Sequence, residues 1–367
     1  MKKKIILLIG GYGLAGRNIT HLLLEYTSAS VILGGRNRDK AQQTAEYFNN
    51  LYSGSRAQGV LADIRDADSV KTAIAQCDLV IDCIPLNTGT NSLIAGEALK
   101  KNINYINLNI SKQEREKLTA LYIQSGEPDL HLLTHCGIFP GLPSALTGLA
   151  ASRFDKLNKV MIGMIGSSEE GSVNSAEEMI SADLKSPFLF RNNTWQKSSM
   201  SASRKIDFGP PFGTRKCFLC NLEETEDLPS KFNIEEFELY AAETNVFTMM
   251  IIVLWNLLKL NKFKHSIKSG AKLINWGVKR FAGKPFGITL KMEASGEKNG
   301  KDCHLDVFLF CSNVYKSTAI ATAACIIQVI SGNIKKPGVS YMGQAVNSDK
   351  LLADMEKMGM SIDIRWD

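Results

Sequence analysis

The apolar run Ile5-Ile6-Leu7-Leu8-Ile9 passes without a break into Gly10-Gly11-Tyr12-Gly13-Leu14-Ala15-Gly16, and a helical pattern, Ile19, Leu22, Leu23 and Tyr26, comes at once after it. A short apolar run ended by glycine has the length of a buried strand, and apolar positions three and four apart make one face of a helix. Gly11, Gly13 and Gly16 therefore stand in a strand-to-helix turn. Gly11 lets the chain turn tightly, Gly13 admits an anionic group against bare backbone, and Gly16 lets helix and strand pack closely. With Tyr12, Leu14 and Ala15 completing the loop, a pyrophosphate set there meets the first N–H groups of the helix and the positive end of its dipole. The same glycines also serve a plain turn that holds no ligand. Lys2-Lys3-Lys4 ahead of the apolar run fits the basic start of a secretory leader; the early break into glycine and the periodic helix beyond it fit a strand instead.

The chain beyond Tyr26 decides between a lone turn and a whole domain. Strand-like runs recur near Ile5 to Ile9, Val31 to Leu33, Gly59 to Ala62, Leu79 to Ile84, Tyr105 to Leu108 and Leu130 to Thr134, with helical patterns between them. Asp66 is placed to cap the third helix, and Ser111-Lys112-Gln113-Glu114 reads as a capping box. Such alternation predicts a doubly wound parallel sheet of the Rossmann kind, an α/β fold.

At 367 residues the chain suits two cores. The rhythm changes after Cys136-Gly137-Ile138-Phe139-Pro140-Gly141-Leu142-Pro143: a helix from Pro143 precedes strands at Lys159 to Ile165, Lys216 to Asn221, Gly287 to Glu293 and Leu305 to Cys311. These predict a second, α+β domain with a mixed or antiparallel sheet. The expected division is 1–140 for the nucleotide domain, 141–312 for the substrate domain, and 313–367, with a helix from Tyr315 to Ile330, returning to the first. The eight cysteines show no disulfide framework, which suits a reducing cytoplasm. Cys217 and Cys220 form a C-x-x-C in an apolar run without a second pair at zinc spacing, so they read as packing residues and no metal is expected.

The second strand bears on the choice of cofactor. A carboxylate at its end accepts hydrogen bonds from the adenosine ribose of NAD. This chain has Val31-Ile32-Leu33-Gly34-Gly35-Arg36-Asn37-Arg38 instead, so Arg36 is free to grip a 2′-phosphate and Asn37 to cap the next helix. NADP is the expected cofactor. Ligands bind beyond the carboxyl ends of such strands, which places Asp63 and Ile64 beside the adenine and Cys83, Ile84 and Pro85 beside the ribose nearer the nicotinamide. Arg36 also reads as a solvated helix start, Asp63 as a cap and Pro85 as a strand terminator.

Two later stretches stand apart. Val246 to Leu258 is apolar but for Thr248 and Asn256, and at thirteen residues it falls short of the roughly twenty that span a bilayer. A buried core helix is the expectation. Lys262 to Lys284 carries seven Lys or Arg and no acid, more than the chain's net charge of +6, with Phe263, Ile267, Ala271, Ile274, Val278 and Phe281 on one helical face. That pattern fits a helix with a solvated basic face, and equally one lying on an anionic membrane surface, so peripheral membrane contact through 246–284 stays open. A nucleic-acid role is not expected, since aromatic interleaving is missing.

Taken together, the glycine turn, Leu33-Gly34-Gly35-Arg36-Asn37, Asp82-Cys83-Ile84-Pro85 and Cys136-Gly137-Ile138-Phe139-Pro140-Gly141 resemble the saccharopine dehydrogenase family. The tail is similar more loosely, through Tyr315-Lys316-Ser317-Thr318-Ala319 and Gly338-Val339. The resemblance implies NADP-linked chemistry at a carbon–nitrogen bond and an interrupted two-domain architecture. In saccharopine-forming members the loop after the sixth strand resembles G-[LI]-D-P-G-[IL]-D-H; here Phe139, Pro143 and Ser144 stand where Asp, Asp and His would be. That exchange points to a divergent branch with another substrate. His135, at the end of the sixth strand, is the expected proton donor or acceptor, with Cys136 beside it. Arg191, Arg204 and Arg215 are candidates for a substrate carboxylate. The expected protein is a cytoplasmic, homodimeric NADP-dependent oxidoreductase acting on a small molecule; the alternative is an inactive nucleotide sensor or membrane-associated regulator.

Overall fold

The structure, a computed structural model, describes residues 3–84, 91–108, 112–169, 171–181, 187–199, 201–243, 245–334 and 336–367. Pro85 and Ser111 lie outside them. The chain divides into two compact units, Met1–Ala145 with Tyr315–Gly359, and Leu146–Val314 with Met360–Asp367.

In chain order the first unit holds β1 (Ile5–Ile9), α1 (Leu14–Tyr26), β2 (Ser30–Gly35), α2 (Arg38–Leu51), β3 (Ala57–Leu61), α3 (Ala67–Ile74), β4 (Leu79–Asp82), α4 (Asn91–Lys100), β5 (Asn104–Asn107), α5 (Lys112–Gln124) and β6 (His131–Thr134). α6 (Leu142–Arg153) carries the chain into the second unit. That unit continues with β7 (Lys156–Ser167), α7 (Val173–Ser181), β8 (Phe188–Arg191), β9 (Thr194–Lys197), β10 (Ser203–Asp207), β11 (Thr214–Leu219), α8 (Leu228–Phe232), β12 (Glu236–Glu243), α9 (Val246–Leu257), α10 (Lys264–Phe281), β13 (Gly287–Lys298) and β14 (Lys301–Cys311). α11 (Val314–Ile330), β15 (Gly338–Tyr341), α12 (Met342–Ala345) and α13 (Ser348–Lys357) return to the first unit, and β16 (Ser361–Trp366) to the second.

The first sheet has the order β15-β6-β5-β4-β1-β2-β3, with every pairing parallel. Its strands are apolar on both faces, as in sheets covered on both sides; on one face Leu7, Ile9, Val80, Tyr105 and Leu132 pack with Val70 and Ile74 of α3, Ile94 and Leu99 of α4 and Leu118 of α5. Ile6 to Ile9 are wholly buried, each side chain contributing about 1.5–3 kcal/mol. Asp66 caps α3, accepting from the N–H groups of Asp68 and Ser69. The fold is the doubly wound α/β fold that the alternation predicts. Strand order reverses between β1 and β4, which puts a crevice beyond their carboxyl ends.

The second sheet is mixed: β10-β11-β12-β7-β13-β14-β16, with β8 and β9 attached to β12; β12 and β7 run parallel and the other pairs antiparallel. Two expectations change here. The tail does not stay with the first unit: β16 pairs with β14 from Leu305↔Trp366 to Phe310↔Ser361, supplying the partners that an edge strand lacks, and Trp366 packs against Phe154. Nor is Val246 to Leu258 a buried core helix. Only Thr248, Ile251 and Ile252 of α9 are buried, whereas Leu257 is 76% exposed.

Candidate active site

β1 delivers the chain to the crevice at Gly10, whose φ of 86° is left-handed. Gly10 and Gly11 donate their N–H groups to the Gly34 carbonyl at 2.9 and 3.1 Å, and Gly13 donates to the Gly10 carbonyl at 2.9 Å. A Cβ on Gly11 would stand 2.8 Å from the Leu8 carbonyl oxygen, and one on Gly16 2.6 Å from that of Gly10, so both positions need glycine for the packing of turn, strand and helix. Gly13 differs. Its Cβ would meet only the Gly10 carbonyl oxygen, at 3.1 Å, and Gly13 and Leu14 are exposed. α1 begins there with Gly13 as its N-cap, no side-chain cap and no acid in the first turn. The positive end of α1 is thus open at Gly13 and Leu14, which fits a pyrophosphate.

Beside this turn, β2 ends at Gly35, where the Tyr12 ring fills the space that a Cβ would take. Arg36 comes next and is exposed. Asn37 caps α2, its Oδ1 accepting from the Lys40 N–H at 2.9 Å. Beyond β3, Asp63 is engaged rather than open: Arg65 donates its backbone N–H to Oδ1 at 3.0 Å and its Nη2 to Oδ2 at 2.6 Å. The Arg65 guanidinium bonds and then its N–H hold the Asp63 carboxyl down at about 2, with Arg36 adding a smaller share. Arg65 is the residue that sequence reasoning missed; its signal was its place two residues after an aspartate at a strand end. Ile64 is half-buried against the core of the first unit. Arg36 and Arg65 therefore stand at the β2 and β3 ends, and the Asp63 carboxylate is already paired with Arg65. That arrangement fits a 2′-phosphate.

At the β4 and β5 ends the polar groups are buried. Asp82 accepts from the Ile84 N–H at 2.9 Å and from the Tyr105 hydroxyl at 2.8 Å, and Asn107 donates to that hydroxyl at 3.4 Å. Cys83 donates its N–H to the Ile9 carbonyl, next to the glycine turn, while burial, aided by Asp82, pushes its thiol far above its ordinary value. It is no nucleophile near neutral pH.

His135 lies at the β6 end with φ 58°, buried, its Nδ1 3.2 Å from the Thr134 hydroxyl and its ring edge-on to Tyr341 at 4.9 Å. The Arg115 guanidinium covers the same Tyr341 ring at 4.3 Å. Burial, and then Arg115, lower His135 to about 4. Both causes favour the neutral imidazole near neutral pH, a form that can accept a proton but holds no extra one to donate. Cys136 is buried beside it, its Sγ 3.8 Å from the Thr134 carbonyl and its own carbonyl accepting from the Thr322 hydroxyl at 3.0 Å. The loop closes at Gly141, φ 122°, where a Cβ would stand 2.7 Å from both the His135 carbonyl oxygen and Met342.

In the second unit, Arg191 and Arg204 both turn to the buried carboxylate of Glu238: Arg191 donates to Oε1, Arg204 lies 3.6 Å from Oε2, and Tyr240 donates to Oε2 at 3.1 Å. Arg204 also meets Glu293 at 3.5 Å, and Lys291 meets Glu293 at 2.7 Å. Glu236, 4.0 Å from Arg191, adds a third acid to these three cations, so each of them is already engaged by a carboxylate rather than held open for a substrate's. Arg215 donates to the neighbouring Thr214 carbonyl and joins no such cluster among the described residues. Cys217 is buried in β11, and no metal-ligand group occurs among the described residues.

Residues 6–125, which span this crevice from β1 to α5, match the family model described as "Saccharopine dehydrogenase NADP binding domain". These residues are similar to the NADP-binding domain of saccharopine dehydrogenases. The matched stretch contains the glycine turn, Arg36, Arg65 and Cys83. Among solved structures, the chain is similar to apo histidine-tagged saccharopine dehydrogenase (L-Glu forming) from Saccharomyces cerevisiae, with TM-score 0.71 and 13% identity over 99% of this chain and 100% of that one. At that identity the likeness establishes the fold. A looser likeness, TM-score 0.47 and 11% identity over 97% of this chain and 99% of the other, is to a DAP dehydrogenase of C. glutamicum in complex with DAP. No curated protein matches the chain in sequence. The matched stretch supports a nicotinamide-dinucleotide site in the first unit.

Proposed function

We propose that the chain is an NADP-dependent oxidoreductase that moves hydride to or from a small substrate, at a carbon–nitrogen bond. The observation that carries this reading is the pairing of an open, uncapped α1 N-terminus at Gly13 with two guanidinium groups, Arg36 and Arg65, at the neighbouring strand ends. Gly11 to Gly16 would hold the pyrophosphate, and Arg36 with Arg65 the 2′-phosphate. When bound, the reduced nicotinamide supplies the hydride. The chain's own part is geometric: Cys83 and Ile84 form the β4 edge of the crevice, and the loop from His135 to Gly141, held by Thr322 and Met342, forms the β6 edge.

The carbon–nitrogen bond is drawn from the resemblance of the first domain, and Phe139, Pro143 and Ser144 argue for a substrate other than saccharopine. A neutral His135 orients rather than protonates, so any proton comes from the substrate's own ammonium or from water. In this reading the partners are a small molecule and a second copy of the chain, and the compartment is the cytoplasm, which eight free cysteines suit. Loss of reduced-nicotinamide absorbance with a panel of 2-oxo acids and amines, with products identified by mass spectrometry, tests the reading. Turnover by at least one pair supports it. Tight NADPH binding with no turnover across the panel favours the second reading, a nucleotide sensor, for which the depressed His135 and the protonated Cys83 speak.

A further inference from the structure

α9 and α10 carry an apolar surface that the cofactor chemistry leaves unused. Val246, Met250, Val253, Leu254 and Leu257 are all exposed and fall four, three, one and three residues apart, a single stripe along α9. Leu258 and Phe263 extend it past the helix end, and Trp276 and Phe281 of α10 join it through Phe247, whose ring centroid lies 5.7 and 5.2 Å from theirs. The opposite face is an ordinary small core, in which Ile251 and Ile252 pack with Ala176 and Ile180 of α7 and Ala271 and Ile274 of α10. The two helices lie close because Gly277 yields its Cβ space to the Phe247 ring and Gly270 to Trp255 and Ile180. The exposed stripe is therefore held in place by a packed inner face. It is not a loose segment.

The charge around this stripe says what covers it. From Val246 to Lys284 the chain has no Asp or Glu, while Lys259, Lys262, Lys268, Lys272, Lys279, Arg280 and Lys284 are exposed. Lys268, Lys272 and Lys279 share the outer side of α10 with Trp276, at helical spacing. A second copy meeting this face about a two-fold axis would set lysines against lysines, because such an interface presents the same patch from both sides. A neutral protein groove would accept the apolar stripe and leave the cations desolvated. An anionic bilayer satisfies both, with acyl chains for the stripe, headgroups for the cations and the interface for indole and phenyl rings. No helix among the described residues is long and apolar enough to cross a membrane.

We propose that α9 and α10 form a docking surface for an anionic lipid bilayer, lying in its interface without spanning it. Sedimentation of the full chain with phosphatidylcholine vesicles, alone or with phosphatidylserine, tests this at about 50 and 500 mM salt, where screening lengths differ roughly threefold. The chain is expected to sediment with serine-containing vesicles at low salt and far less at high salt or with phosphatidylcholine alone. Lys268→Gln with Lys272→Gln lowers the vesicle partition coefficient about tenfold or more, since each cation near such a surface counts for roughly a factor of five. Met250→Gln with Leu257→Gln removes apolar contact, adds no charge, and lowers it about tenfold. Unchanged circular dichroism and melting show that the variants fold, and the salt dependence of the unaltered chain needs no variant. Absence from every vesicle pellet overturns the proposal. So does binding indifferent to Met250→Gln with Leu257→Gln, or a concentration-dependent dimer that this variant dissolves while vesicles stay empty.

Discussion

Arg65 closes on Asp63 with an Nη2–Oδ2 distance of 2.6 Å, and so engages a carboxylate that feels the charge of Arg36 at the end of the nucleotide-domain strands. Without that pairing Asp63 would repel a 2′-phosphate; with it, the strand ends keep a positive field. Arg36→Ala should weaken NADPH binding about tenfold to a hundredfold, the worth of a charged hydrogen bond, and leave NADH binding unchanged. Arg65→Ala should also weaken NADPH binding selectively, because it removes a cation and unmasks Asp63. Fluorescence titration of both nucleotides checks this; equal losses for NADPH and NADH would show that neither arginine reads the phosphate.

The glycines separate binding from folding. A Cβ at Gly16 collides with the Gly10 carbonyl oxygen at 2.6 Å, so Gly16→Ala should lower the melting temperature. At Gly13 the clash is marginal, 3.1 Å to one atom, and φ is −72°. Gly13→Ala should therefore melt within a few degrees of the parent yet lose nucleotide affinity, since the added methyl occupies the pyrophosphate's approach. Retained affinity in a folded Gly13→Ala chain would place the ligand elsewhere.

His135 sets an acid limit. Its folded value is lowered to about 4 while the unfolded imidazole titrates near 6.5, so between these values the unfolded chain binds the extra proton. Stability is unaffected by this group above 6.5, falls as pH drops below it, and levels off near 4. The loss from pH 7 to pH 5 is about 2 kcal/mol, from roughly 1.4 kcal/mol per unit. Asn tolerates the left-handed backbone at this position. Urea unfolding of His135→Asn should show a shallower decline over that window; identical slopes would mean that His135 is hydrated in the folded state.

Tyr105→Phe deletes the hydroxyl that donates to buried Asp82 at 2.8 Å and receives from Asn107. Leaving a buried hydrogen-bonding partner unsatisfied costs about 1–3 kcal/mol. Chemical denaturation should show a loss in that range, and a change below about half a kcal/mol would mean that other groups already satisfy Asp82.

How far the fold and the site could be read from residues alone differs between the units for physical reasons. The glycine turn and its six strands were legible because a strand buried on both faces is an apolar run and little else, and the spacing of Gly11, Gly13 and Gly16 has few other uses. In the second unit β10 reads Ser-Arg-Lys-Ile-Asp with only Ile206 buried, so it offers no apolar run to find. β16 did carry an alternation, Ile362 and Ile364 between Asp363 and Arg365, yet which edge it completes is a matter of topology. Arg65 and His135 were opaque for another reason. Ion pairing two residues away and burial beneath Tyr341 decide their roles, and neither is written in residue type. α9 misled in a simple way: a helix apolar on all sides reads as buried, whereas Met250 and Leu257 stand open.

Calorimetric titration of the full, folded chain with NADPH and with NADH tests the central claim most directly. The cradle at Gly11 to Gly16, flanked by Arg36 and Arg65, predicts one NADPH per chain and NADH bound about tenfold or more weakly. No heat from either nucleotide, or equal affinities for the two, would contradict it.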